Sequence, residues 1–176
     1  ISKLRKSGGK PQRIEVHRLG QFNPREKNKE EVIEIMINDI DIVLARVNKK
    51  IESIEVSGKK ILTNLTDIAN VRIKFKDNIV ANLTASRIST KNERKMRIFS
   101  NNSYYSIDFI NNKLKKIHKD RRNSFKVTDF NFKKTDVLDD EINNFVNTCL
   151  GKEKSMTTGT SGLEALVVAK KISKGF

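Results

Sequence analysis

Apolar residues recur along this chain with two different periods, and the change falls near residue 50. Between Glu31 and Val47 the apolar positions Ile33, Met36, Ile37, Ile40, Val43, Leu44 and Val47 follow the three-four-seven spacing that gathers one face of a helix. Before them, "PQRIEVHRLG" alternates Ile14 and Val16 against Glu15 and His17, which predicts a strand, and "QFNPREKNKEE" is a polar loop broken by Pro24. After them the period shortens. The runs "KIESIEVSG", "NVRIKF", "IVANLTASRIS", "KMRIFS", "YYSIDF", "KLKKIHK" and "SFKVTDF" read as strands. Turns at Asp77-Asn78, Asn101-Asn102 and Asn111-Asn112 divide them, at residue types that tolerate left-handed backbone. Two helices close the chain. "DVLDDEINNFVNTCLG" is expected to be capped by Asp136 and stopped by Gly151, and "TSGLEALVVAKKIS" to be capped by Thr160.

Strands followed by helices, without β-α-β alternation, predict an α+β fold: a large, mostly antiparallel open β-sheet with helices packed on one face. At 176 residues, with no internal repeat, the chain 1–176 is expected to form a single domain with a real core. The other face of the sheet also needs a partner. Val71, Ile73 and Phe75 beside Val80, Asn82, Thr84 and Ser86 suggest a half-apolar surface, and a homodimer through that sheet face is expected.

Charge changes this picture little. The formal net charge is +15, with basic stretches "KLRKSGGKPQR" and "HKDRRNSFK", which invites a nucleic-acid reading. Lysine is nonetheless spread along the whole chain, and aromatics total only 6%, too few for stacking on bases, so nucleic acid is not the favoured partner. No apolar run reaches the roughly 18 residues of a membrane helix, and "ISKLRKSGGK" lacks a signal-peptide core, so a cytoplasmic protein without a membrane partner is expected. The first residue is Ile rather than Met, so the chain is expected to be part of a longer protein. The single cysteine, Cys149, shares a helical stripe with Leu138, Ile142, Phe145 and Val146 and is expected in the core. His17 and His118 lack neighbouring ligands, so no metal site is expected.

Candidate chemistry sits on the first helix. Glu34, Asn38 and Asp41 share one stripe at i, i+4 and i+7, while Asp39 points elsewhere. Such a stripe is either a solvated face or the lining of a cleft, and the large aliphatics beside it favour the cleft.

The order "RIEVHRLGQFNPR", "VIEIMINDIDIVL", "DIANVRIKFKDNIVANLTASRIS", "DVLDDEINNFVNTCLGKEKSMTTGTSGLEALVVAKKI" resembles the C-terminal domain of the Gfo/Idh/MocA oxidoreductases, a dihydrodipicolinate-reductase-like domain. The likeness is to members acting on UDP-linked amino sugars. It implies the substrate-binding and oligomerisation half of an NAD(P)-dependent sugar-nucleotide oxidoreductase, completed by a Rossmann domain in cis or in trans. The family's pocket helix usually carries Asp and, four residues later, a His near the reacting hydroxyl; Glu34 and Asn38 stand at those catalytic positions here. An Asn amide has no titratable lone pair, so Asn38 is not a base. On the same resemblance Arg18, Arg25 and Arg87 are candidates for phosphate or sugar contacts, together with Asp41, because a guanidinium fork suits a diphosphate. No Gly-x-Gly-x-x-Gly follows a strand anywhere, so no cofactor site is expected in this chain, which should not transfer hydride alone. A different class of function is a basic module that keeps this fold and binds nucleic acid or anionic surfaces.

Overall fold

The structure, a computed structural model, describes residues 9–23, 31–120, 124–133, 136–155 and 157–176. Eight strands form one sheet: β1 (Pro11–Leu19), β2 (Ile51–Lys59), β3 (Ile68–Phe75), β4 (Val80–Ser86), β5 (Glu93–Ser100), β6 (Ser103–Asp108), β7 (Lys113–Lys119) and β8 (Phe125–Asn131). Three helices accompany them, α1 (Glu31–Val47), α2 (Val137–Cys149) and α3 (Gly159–Ser173). Each strand and helix follows a stretch whose periodicity predicts it.

Strand order is β2-β3-β4-β1-β5-β6-β7-β8. Two antiparallel meanders, β2–β4 and β5–β8, are joined by β1, which lies antiparallel to β5 and parallel to β4. That parallel pair is the one departure from an antiparallel sheet among the described residues. Turn chemistry explains much of the remainder. Asp77 (φ 64) and Asn78 (φ 58) reverse β3 into β4, and Asn112 (φ 51) precedes β7, all in left-handed backbone as those residue types allow. The expected turn at Asn101-Asn102 is present, but without left-handed backbone.

The helix side of the sheet is the core. Val71, Leu83, Val16, Met96 and Ile107 are cross-strand neighbours there, as are Ile73, Ala81, Ile14, Ile98 and Tyr105, and all are buried. Against them α1 lays Met36, Ile40, Val43 and Val47, also buried, and ends at Asn48 in left-handed backbone (φ 48). Helix α3 packs on α1 through Ala165, Val168, Ala169 and Ile172. Phe176 then covers Gly58 of β2, where a Cβ would collide with the ring.

Two expectations need correction here. Val71, Ile73 and Phe75 do not share a face with Val80, Asn82 and Thr84: the former are buried beneath the helices, the latter alternate onto the open face. The β3–β4 register pairs Val71 with Leu83 and Ile73 with Ala81, so these two residues of β3 share their face with the odd-numbered residues of β4. The cap of α3 is Thr158, not Thr160. Its Oγ1 accepts from the Ser161 N–H while the Ser161 hydroxyl reaches back, a reciprocal capping box that sets the start of the helix two positions earlier. Asp136 caps α2, as expected, by accepting from Leu138 N (3.0 Å), and Gly151 (φ 70) follows its end.

Candidate functional site

The parallel β1–β4 pair brings two strand ends to one edge of the sheet, and the chain arranges its buried charge there. Gly20 N donates to Ser86 O (2.7 Å), and Ser89 N donates to Gly20 O (2.9 Å), so the segments leaving β1 and β4 are tied together. Above them lies α1.

Asp39 is the polar residue of α1 that turns inward. It is 1% exposed, and Arg18 at the end of β1 grips it with both arms of its fork, Nε to Oδ2 at 2.6 Å and Nη2 to Oδ1 at 3.0 Å. A bidentate pair of this kind fixes orientation as well as charge. Directly across from Arg18 in the antiparallel register stands Arg94 of β5, its guanidinium carbon 4.9 Å over the Phe109 ring.

A second buried pair lies next to the end of β4. Arg87 and Asp67, 4% and 0% exposed, meet at 2.9 Å between Nε and Oδ1. The other carboxylate oxygen of Asp67 accepts from the backbone of Ile61 (2.7 Å), Leu62 (2.7 Å) and Thr63 (3.0 Å), and the Thr63 hydroxyl both donates to Asp67 and accepts from Arg87 Nη2. Burial pushes the Asp67 carboxyl up, but the hydrogen bonds from Ile61, Thr63 and Leu62 outweigh it and hold the group far below the usual carboxylate range. On the open face, burial likewise raises Glu93, yet Lys95 and Lys91 hold it below its ordinary value. Glu93 is 3.6 Å from His17 Nδ1.

The sequence-predicted residues separate into three groups. Glu34 and Asn38 are exposed on the side of α1 opposite its buried stripe, with Asp41 half-buried beside them. Arg18 and Arg87, the phosphate or sugar candidates that the resemblance suggested, sit nearer the sheet, and each fork engages a carboxylate within the chain. Arg25 lies outside the described residues. Asp39 and Asp67, the acids that organise this edge, were not among the candidates; the signal for Asp39 was its position on the inward side of the helical period, between Met36 and Val43. No group of three His, Cys, Asp or Glu able to hold a metal occurs among the described residues. No described helix is long and apolar enough to cross a membrane.

Cys149 corrects another expectation, because it is exposed. Its whole stripe is: Leu138, Ile142, Phe145 and Val146 of α2 are 45–69% exposed, and Leu163, Leu166 and Val167 form a second apolar strip on α3 facing away from α1. The periodicity of α2 was sound, but among the described residues nothing covers the face it predicts.

No family model matches the chain. It is 29% identical over 178 residues to UDP-N-acetylglucosamine 3-dehydrogenase of Acidithiobacillus ferrooxidans, an alignment that takes in 98% of this chain and 57% of that protein. A solved structure of the Acidithiobacillus ferrooxidans dehydrogenase superposes with a TM-score of 0.90 at 30% identity, covering 99% of this chain and 56% of that one. A dehydrogenase from Clostridium difficile shares the fold alone, with a TM-score of 0.77 at 17% identity over 99% of this chain and 58% of that one. The chain thus spans a little over half the length of these relatives. Motifs, sequence and fold converge: the chain is similar, over nearly its whole length, to the C-terminal domain of a Gfo/Idh/MocA-type oxidoreductase of the UDP-N-acetylglucosamine 3-dehydrogenase kind.

Proposed function

We propose that this chain is the substrate-binding and oligomerisation domain of an NAD(P)-dependent sugar-nucleotide oxidoreductase, inactive in hydride transfer by itself. The observation that carries the reading is the similarity to UDP-N-acetylglucosamine 3-dehydrogenase along 98% of the chain, together with a helix that turns its polar stripe outward. The described residues do not fit a dinucleotide: Gly20 stands alone after β1, and no glycine-rich turn joins a strand to a helix. Hydride chemistry therefore belongs to a second, cofactor-binding body, and no step of it is assigned to this chain. The uncovered apolar strips of α2 and α3 supply a surface for such a body to bury.

In this reading α1 presents Glu34, Asn38 and Asp41 to the sugar. Asn38 both donates to and accepts from hydroxyl groups, and the Glu34 carboxylate, one turn away on the same stripe, accepts a hydrogen bond from a sugar hydroxyl. Arg18 and Arg87 act beneath, through Asp39 and Asp67, holding α1 and the strand ends in place. The open face serves the homodimer: Val80, Phe99, Tyr104, Ile117 and Val127 lie in one cross-strand row there, with the Phe99 and Tyr104 rings 5.0 Å apart.

Titration of the 15N-labelled chain with UDP-N-acetylglucosamine tests the site. Amide shifts at Glu34, Asn38 and Asp41 that vanish in Asn38→Ala are expected. No shifts on α1 at millimolar ligand would overturn the assignment. Light scattering showing a monomer at high micromolar concentration would remove the dimer.

A further inference from the structure

Between α1 and the β1–β5 pair, two guanidinium groups meet one carboxylate. Arg18 and Arg94 are cross-strand partners on the helix side of the sheet, and Asp39, the carboxylate that faces both, has each of its oxygens engaged by Arg18. Arg94 is only partly exposed, and its Nε is buried without an acceptor among the described residues. The Phe109 ring beneath the guanidinium offers it a π face but no lone pair. Burial, and then the neighbouring Arg18 charge, lower the Arg94 pKa, and the Asp39 carboxylate, already held by Arg18, offsets them only in part.

A half-buried guanidinium with no carboxylate hydrogen-bonded to it among the described residues is a strong anion receptor, because part of its desolvation has already occurred and a planar fork matches an oxyanion. We propose that Arg94, with Arg18 held beside it by Asp39, forms a subsite for a phosphate-type oxyanion at the flank of α1. The site stands on this cluster alone; that its natural occupant is the diphosphate of a sugar nucleotide rests on the function proposed above. Arg94 thereby takes the role the sequence suggested for Arg18, whose fork is locked. Phe109 gives the guanidinium a rigid backing and Asp39 prevents Arg18 from repelling it outward.

Isothermal titration of the purified chain with inorganic pyrophosphate, and separately with UDP-N-acetylglucosamine, tests this at fixed ionic strength. The dissociation constant for pyrophosphate should rise at least tenfold in Arg94→Met and stay unchanged in Lys115→Met, which removes an equivalent charge from the open face. Equal weakening in both variants would mean a diffuse basic surface and overturn the proposal. The Arg94 Nε–H resonance of the unsubstituted chain provides a readout independent of folding: it should shift on adding pyrophosphate, and a stationary resonance at saturation refutes the site. The two readings also separate. Pyrophosphate binding through Arg94 without any UDP-N-acetylglucosamine binding would keep the subsite and discard the sugar nucleotide, while nucleotide binding indifferent to Arg94→Met would do the reverse.

Discussion

Replacing Arg87 by Met distinguishes a strut from a ligand contact. The substitution keeps an unbranched apolar stem but removes the guanidinium that meets Asp67 at 2.9 Å and also reaches Thr63. Asp67 is 0% exposed, so its carboxylate cannot recruit bulk water in exchange. Removing one partner of a buried ion pair costs roughly 3–5 kcal/mol. The three backbone N–H groups of Ile61, Leu62 and Thr63 stay on the carboxylate, which places the expected loss near the lower end, at about 3 kcal/mol. In a chain of this size that corresponds to a fall in Tm of about 6–12 °C. Thermal unfolding followed by circular dichroism at neutral pH provides the measurement, and Asp67→Asn with the double variant completes a cycle whose coupling should exceed about 1 kcal/mol. Arg87→Lys should recover only part of the loss, since an ammonium cannot reproduce the two-point contact. A Tm within about 2 °C of the unsubstituted chain, together with lost UDP-N-acetylglucosamine binding, would refute the structural role and return Arg87 to the ligand.

Acid provides a second test. Asp67 and Glu93 both have folded pKa values below their ordinary ones, so the stability they contribute is complete above the usual carboxylate range and is lost progressively as pH falls from that range toward the lowered folded values. Denaturant midpoints should be level from neutral pH to about 5 and decline below about 4, and the decline should be shallower in Asp67→Asn; a profile flat to strong acid would contradict it. Cys149, being exposed, should react with a disulfide reagent in the native chain without prior unfolding. Protection of Cys149 in the isolated chain would show that the apolar stripe of α2 is covered after all.

What the sequence made legible were the features decided within a few residues. The three-four-seven run of Ile33 to Val47 is helical because one continuous face of it is apolar, and Asp77 and Asn112 mark turns because their side chains tolerate left-handed backbone. Features set by pairing at a distance were hidden. Strand β1 alternates like any half-buried strand, and nothing in it says that it will sit between β4 and β5. The faces of Val71 and Val80 depend on register across a turn, where one residue exchanges inside for outside. The candidate site was half visible for the same reason. Glu34, Asn38 and Asp41 share a stripe by helical geometry alone, but the engagement of Arg18 by Asp39 and the cross-strand approach of Arg94 exist only once β1, β5 and α1 have met.

The placement of β1 also governs the order of assembly. The meanders β2–β4 and β5–β8 consist of neighbours in sequence, and hairpins of that sort close in microseconds. Strand β1 pairs Arg13 with Val80 on one side and Phe99 on the other, both far downstream, so loop-closure entropy is spent before either ladder rewards it. During synthesis β1 leaves the ribosome ahead of every strand it will touch. Until it inserts, β4 and β5 are two bare edges within one chain, each able to pair with the wrong strand. The strand made first among those described is thus the last to find both neighbours, and the rate at which it does so sets how long the nascent chain is open to aggregation.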